Sequence, residues 1–165
     1  SREHDGYAYD GAEASFELLA RDLLHGLPKL FTMESFRVET ERRYNARGSL
    51  TTVSTAVTKL NVAGNSYLEA GEGNGPVDAL DDAMRKALLR AYPEMEDMRL
   101  TDYKVRILTP QEGTAAVTRV MIESTDSSGI RWATVGISQN IIEASYEALK
   151  DAIYWKLLRH ADAGA

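Results

Sequence analysis

The residues best placed to do chemistry are Gly71-Glu72-Gly73-Asn74-Gly75-Pro76 and the helix they open, Val77 to Ala91. Glycines running into a proline read as a loop feeding a helix, because proline tolerates the first helical turn. Val77, Leu80, Met84, Leu88 and Ala91 recur at helical spacing, and Asp81 with Arg85 and Asp82 with Lys86 form i,i+4 pairs on the remaining surface. Bare N–H groups at the positive end of a helix dipole then face whatever lies in front of them, a place for a carboxylate or a phosphate. The plainer alternative is that these glycines serve only the turn, by supplying φ > 0. Both readings stand at this point.

Other chemistries find little support. The chain has no cysteine, which excludes disulfides and thiolate metal sites. His4, His25 and His160 are far apart and none has a ligand partner at a useful spacing. There is no Gly-x-Ser-x-Gly elbow. The glycine loop lacks the Gly-Lys-Ser/Thr ending of a phosphate-binding loop, and Pro76 occupies the position where Gly-x-Gly-x-x-Gly needs its last glycine. Asp81, Asp82, Glu94, Glu96 and Asp97 read as a solvated acidic face. No catalytic residue and no metal or cofactor is therefore expected in this chain.

Composition bounds the rest. With 165 residues, 44% of them hydrophobic, the chain can fill one core or two small ones. A formal charge of −6 is the opposite of a nucleic-acid footprint, and basic residues are not clustered with exposed aromatics. No apolar run approaches the ~20 residues of a membrane span. A cytoplasmic protein is expected, with neither nucleic acid nor membrane as partner. Ser1 in place of Met suggests a segment of a larger protein.

The elements that must position the loop follow from periodicity. Ala12 to His25 reads as a helix with Phe16, Leu19, Leu23 and Leu27 on one face, closed by Gly26 and Pro28. Phe36, Val38 and Thr40 alternate with Arg37, Glu39 and Glu41 as a half-buried strand. Leu50–Leu60 makes a second strand, Ala63-Gly64-Asn65 a turn, and Ser66–Ala70 a third strand entering the glycine loop. After the helix, Tyr103, Val105 and Ile107 mark a fourth strand, Ala116–Glu123 a fifth and Trp132–Ile137 a sixth. A last helix carries Ile142, Tyr146, Leu149, Ile153 and Leu157 on one face. Trp132 and Trp155 are assigned to packing.

The order βββα thus occurs twice, and the two copies superpose without a gap. Gly71 and Gly136 are 65 positions apart (136 − 71), and the same shift pairs Tyr67 with Trp132, Asp78 with Glu143, Ala79 with Ala144, Ala83 with Ala148 and Ala87 with Ala152. The expected fold class is α+β, two pseudo-symmetric βββα units of about 33–95 and 98–160, after a linker helix segment of residues 1–32. The copies differ at the loop: Gly73-Asn74-Gly75-Pro76 in the first, Ser138-Gln139-Asn140-Ile141 in the second.

The runs Gly71-Glu72-Gly73-Asn74-Gly75-Pro76-Val77-Asp78-Ala79-Leu80 and Leu100-Thr101-Asp102-Tyr103-Lys104-Val105 resemble the regulatory domain of the isopropylmalate synthase family. So do Gly113-Thr114-Ala115-Ala116, Thr134-Val135-Gly136-Ile137-Ser138 and Asn140-Ile141-Ile142-Glu143-Ala144-Ser145. The likeness covers about Ser35 to Leu158. Gly6-Tyr7 and the stretch from Gly11 to Leu19 look like the linker of the citramalate synthase branch. The resemblance implies a C-terminal domain that binds the pathway's end-product amino acid and forms a homodimer. It also implies a parent enzyme whose separate barrel condenses acetyl-CoA with a 2-oxo acid, using a divalent metal.

By the same resemblance Gly73 and Gly75 cradle the effector's carboxylate, with Asp78 one turn in. Leu100, Tyr103, Ile107, Thr114, Val117, Ile137 and Gln139 line the rest of its pocket. The effector implied is isoleucine, with leucine as the alternative. From the residues alone, Tyr103, Leu100, Val117 and Ile137 read equally as core, and Asp78 as a partner of the helix dipole. The competing classes are an RNA-binding α+β module, a free-standing enzyme and a purely structural dimerisation domain.

Overall fold

The computed structural model describes residues 13–108 and 115–164, in the order α1 (Glu13–His25), β1 (Thr32–Tyr44), β2 (Leu50–Val62), β3 (Asn65–Gly73), α2 (Pro76–Leu88), a 3-10 turn (Pro93–Asp97), β4 (Arg99–Leu108), β5 (Val117–Thr125), β6 (Arg131–Ser138) and α3 (Ile141–Ala163). The strands form two antiparallel sheets, β1-β2-β3 and β4-β5-β6, each with its own helix. The α+β pair of βββα units read from the sequence is the fold. The linker motif Gly6-Tyr7 and the expected helix start at Ala12 lie outside the described residues. α2 ends at Leu88 rather than Ala91, because Tyr92 precedes Pro93 and is pushed out of helical backbone.

The first unit runs from Lys29 to Pro93. Its core lies between α2 and one face of the sheet, where Ala56, Leu60 and Val62 of β2 meet Val77, Leu80, Met84 and Leu88. A two-residue turn at Ala63 and Gly64, both with positive φ, pairs Val62 with Asn65 and sets the β2–β3 register.

The second unit consists of α1 and the residues from Glu94 on. Here α3 lies on β5 and β6, and α1 packs against both α3 and β6. α3 is therefore covered on two sides and buries Ala144, Ala148, Leu149, Ala152, Ile153, Tyr154, Leu157 and Leu158. The Trp132 and Trp155 rings stack at 4.8 Å, and Trp132 Nε1 donates to the Ala152 carbonyl.

The face of α1 needs correcting. Its buried residues are Ala14, Ser15 and Leu18, whereas Phe16 is 54% and Leu23 78% exposed. Small residues let α1 sit close to the unit, and a hydroxyl is what the site requires. Ser15 Oγ donates to Asp151 Oδ2 at 2.8 Å and accepts the Val135 N–H at 3.0 Å, which belongs to the outer edge of β6. Ser15→Ala would leave a buried N–H without its acceptor, and is expected to cost about 1–3 kcal/mol in urea denaturation.

The duplication extends to individual atoms. Glu72 N–H donates to Asp82 Oδ2 at 3.1 Å, and 65 positions later Ile137 N–H donates to Glu147 Oε2 at 3.1 Å. A Cβ on Gly71 would lie 2.4 Å from Ala83 N and 2.6 Å from Ala79 O. On Gly136 it would lie 2.8 Å from Ala148 N and 2.0 Å from Ala144 O, the same pair shifted by 65. Each helix therefore approaches its sheet so closely that only glycine fits beneath it.

Candidate effector site

The start of α2 is where the two units differ in chemistry. In the second unit Asn140 is the N-cap of α3, and its side-chain oxygen accepts the N–H groups of Ile142 at 2.8 Å and Glu143 at 3.3 Å. Asn followed three residues later by Glu is a capping pattern that the sequence analysis did not single out. In the first unit the N-cap is Gly75, which offers no side-chain cap to α2, and Pro76 follows at the first helical position.

The glycines of this loop have separate reasons. Gly71, Gly73 and Gly75 are not among the described residues with positive φ, so the turn explanation fails for all three. A Cβ on Gly73 would fall 2.5 Å from Asp78 Cβ and 2.8 Å from Ala79 N, so close approach of loop and helix demands glycine there. Gly75 is extended, with φ −151°, and a Cβ would meet nothing within 4 Å. Neither strain nor space requires glycine at 75. What its absence of side chain does is leave the helix end open. Asp78 is exposed in the first turn.

The other residues singled out from the sequence lie in the second unit. Tyr103 and Ile107 pair with Ile122 and Thr118, which places them on the sheet face that α3 covers over β5 and β6. On β4 this apolar row is open, and Ile107 is 72% exposed. Val117 and Ile137, half-buried, alternate onto the opposite face. Ile107, Val117, Ile137 and the exposed Gln139 nevertheless gather at one end of the sheet. Leu100 is at the other end of β4, seven residues from Ile107 and so about 23 Å along the strand. Leu100 and Ile107 of one strand do not reach the same small molecule. Thr114 lies outside the described residues.

Two acidic residues read as solvated are partly withdrawn from water. Asp81 pairs with Arg85 at 3.1 Å, and burial pushes its carboxyl above the usual range despite that partner. Asp97 bonds Lys156 Nζ at 2.8 Å, and the same ammonium reaches Asp126 at 2.7 Å. Arg159 Nη2 reaches Asp126 at 2.9 Å, and its guanidinium lies over the Trp155 ring. No sequence signal marked this cluster, because its members span 62 residues (159 − 97) and lie on the 3-10 turn, the β5–β6 turn and α3. Among the described residues, no three His, Asp or Glu side chains converge as a metal cage. No described helix is long and apolar enough to cross a membrane.

Comparison with known proteins identifies the family of the chain. Residues 10–156 match the LeuA allosteric (dimerisation) domain. The chain is 48% identical over 155 residues to an (R)-citramalate synthase of Geobacter sulfurreducens, covering 94% of this chain and 29% of that protein. Against an (R)-citramalate synthase of Synechocystis the identity is 47%, covering 94% and 28%. A 2-isopropylmalate synthase of Aquifex aeolicus is 34% identical over 107 residues, 65% of this chain and 19% of that protein. The chain thus spans less than a third of the length of the curated relatives it matches. It belongs to the LeuA allosteric (dimerisation) domain family.

Proposed function

We propose that this chain is the C-terminal allosteric and dimerisation domain of an (R)-citramalate synthase, and that it binds isoleucine as a feedback signal. The whole enzyme would condense acetyl-CoA with a 2-oxo acid in a separate domain. The observation that carries the reading is the contrast between the two helix starts. One fold, used twice, caps α3 with Asn140 but leaves α2 open at Gly75. An uncapped helix N-terminus favours an anionic group, and a free amino acid brings a carboxylate.

In this reading Gly73 and Gly75 receive the carboxylate and Asp78 faces the ammonium. Family resemblance alone assigns Tyr103, Ile107, Thr114, Val117, Ile137 and Gln139 to the effector's side chain, and Leu100, at the far end of β4, is left out. Effector binding would regulate by favouring one of two pre-existing enzyme states. Higher identity to citramalate synthases than to the 2-isopropylmalate synthase favours isoleucine over leucine.

Calorimetric titration of the chain with each amino acid tests this. Isoleucine is expected to bind more tightly than leucine, and binding of neither at millimolar concentration would sink the sensor reading. Gly75→Asp makes a sharper test. It supplies the missing cap, stabilising the fold by roughly a few tenths of a kcal/mol, while its charge repels the effector and weakens binding at least about tenfold. A variant that binds isoleucine as the wild type does would remove Gly75 from the site.

A further inference from the structure

The β1–β2 hairpin is longer than its sheet. β3 pairs with β2 only as far as Ser54↔Gly73, yet β1 and β2 continue through Glu41↔Val53, Arg42↔Thr52, Arg43↔Thr51 and Tyr44↔Leu50. Four residue pairs, about 13 Å of two-stranded ribbon, therefore stand clear of the third strand. In the second unit the described pairing passes the corresponding row, Ile107↔Thr118↔Ser138, by one pair. An isolated two-stranded ribbon is marginal in water.

Its end is nonetheless well built and carries a distinct chemistry. Asn45 Oδ1 accepts the N–H groups of Arg47 and Ser49, Asn45 N–H donates to the Ser49 carbonyl, and Gly48 has φ 78°. Tyr44 and Leu50 form a cross-strand apolar pair, with Tyr44 75% exposed. Between Glu41 and Val53 there are three arginines and one glutamate, a local charge of +2, which leaves −8 for the rest of the chain (−6 − 2). Arg43 is held by Glu41 and Glu72, whereas Arg42 and Arg47 make no ion pair among the described residues. The sequence reading found no basic cluster beside an exposed aromatic. The hairpin assembles one.

We infer that this tip is the element by which the chain grips a second copy of itself. The inference rests on the reading that the domain pairs, and adds where it does so. Charge complementarity selects the occupant: a cationic tip on an otherwise acidic chain is attracted to the body of another copy. Tyr44 and Leu50 supply apolar area at the centre of the contact, and the arginines steer and fix it, the composition found in interface anchors.

Sedimentation equilibrium on the whole chain gives the dimer dissociation constant for the wild type, for Arg42→Glu with Arg47→Glu, and for Tyr44→Ser. The charge reversal is expected to weaken pairing at least about tenfold at ~0.15 M salt and much less at ~1 M, where screening removes the attraction it reverses. Tyr44→Ser is expected to weaken pairing severalfold at both. Because the native chain has no cysteine, a bimane on Tyr44→Cys offers a separate readout, and its emission should shift to the blue as concentration rises. A dimeric wild type with both constants unchanged and no bimane shift overturns the inference and leaves pairing intact. A wild type monomeric at every concentration overturns the pairing reading beneath it. Low-salt retention of RNA that the reversal abolishes, with pairing unchanged, would assign the tip to nucleic acid instead.

Discussion

Gly136→Ala is expected to cost about 3 kcal/mol or more, enough to abolish the cooperative urea transition of a marginally stable domain. The added methyl would sit 2.0 Å from the Ala144 carbonyl oxygen and 2.8 Å from Ala148 N, both backbone atoms of α3. No side chain can swing aside to make room. α3 would have to lift from β6, giving up contacts of Leu149 and Ile153 in the core. Gly71→Ala should behave alike under α2, with distances of 2.4 and 2.6 Å. Gly75→Ala serves as the control, since its Cβ enters open space, and is expected to change stability by no more than about 1 kcal/mol. A Gly136→Ala chain that melts within a few degrees of the wild type would mean that the helix has slack and that the repeated glycine has another purpose.

Lys156→Met is expected to cost about 3 kcal/mol and to make the protein more sensitive to acid. The Asp126 side chain is 1% exposed and is held by Lys156, Arg159 and Ser128. Removing the ammonium strips a buried carboxylate of one of two cations. Burial alone would raise the Asp126 pKa, but bonds from Lys156 and Ser128 outweigh it and hold the group below its ordinary range. Bonds from Lys156 and Ser127 likewise hold Asp97 well below its ordinary range. Both folded-state values are depressed, so as the pH falls the unfolded chain takes up protons first. The stability these carboxylates contribute is complete above about pH 4 and is lost as the pH drops through the folded-state values. In Lys156→Met both groups return toward or above ordinary values, and far-UV circular dichroism should show acid unfolding beginning at higher pH than in the wild type. Coincident acid curves would mean that Arg159 alone holds the cluster.

Periodicity and spacing made most of the fold legible. Strands of period two, a shift of 65 shared by strand, loop and helix, and Pro76 at a helix start are local signals, and local signals survive in a linear reading. What failed depended on neighbours far along the chain. α1 was assigned by its largest apolar residues, but its partners select small ones, and Ser15 is buried because Val135 and Asp151 need its hydroxyl. Lys156 was indistinguishable from any helical lysine until Asp97 and Asp126 were beside it. In the candidate site, the difference between the loops was readable. That Gly73 is fixed by contact with Asp78 while Gly75 is not was beyond any spacing argument.

The position of α1 has a consequence for how the chain is made and cut. α1 leads the chain, yet its partners lie from Val135 onward, so the whole first unit is inserted between two halves of the second. On the ribosome, residues 29–93 have all their own strands and helix long before α1 finds a surface to lie on. A fragment begun at the first strand would keep that earlier unit whole. It would also strip α3 and the β6 edge of their cover, so a helix that reads as a mere lead-in belongs to the minimal folding piece.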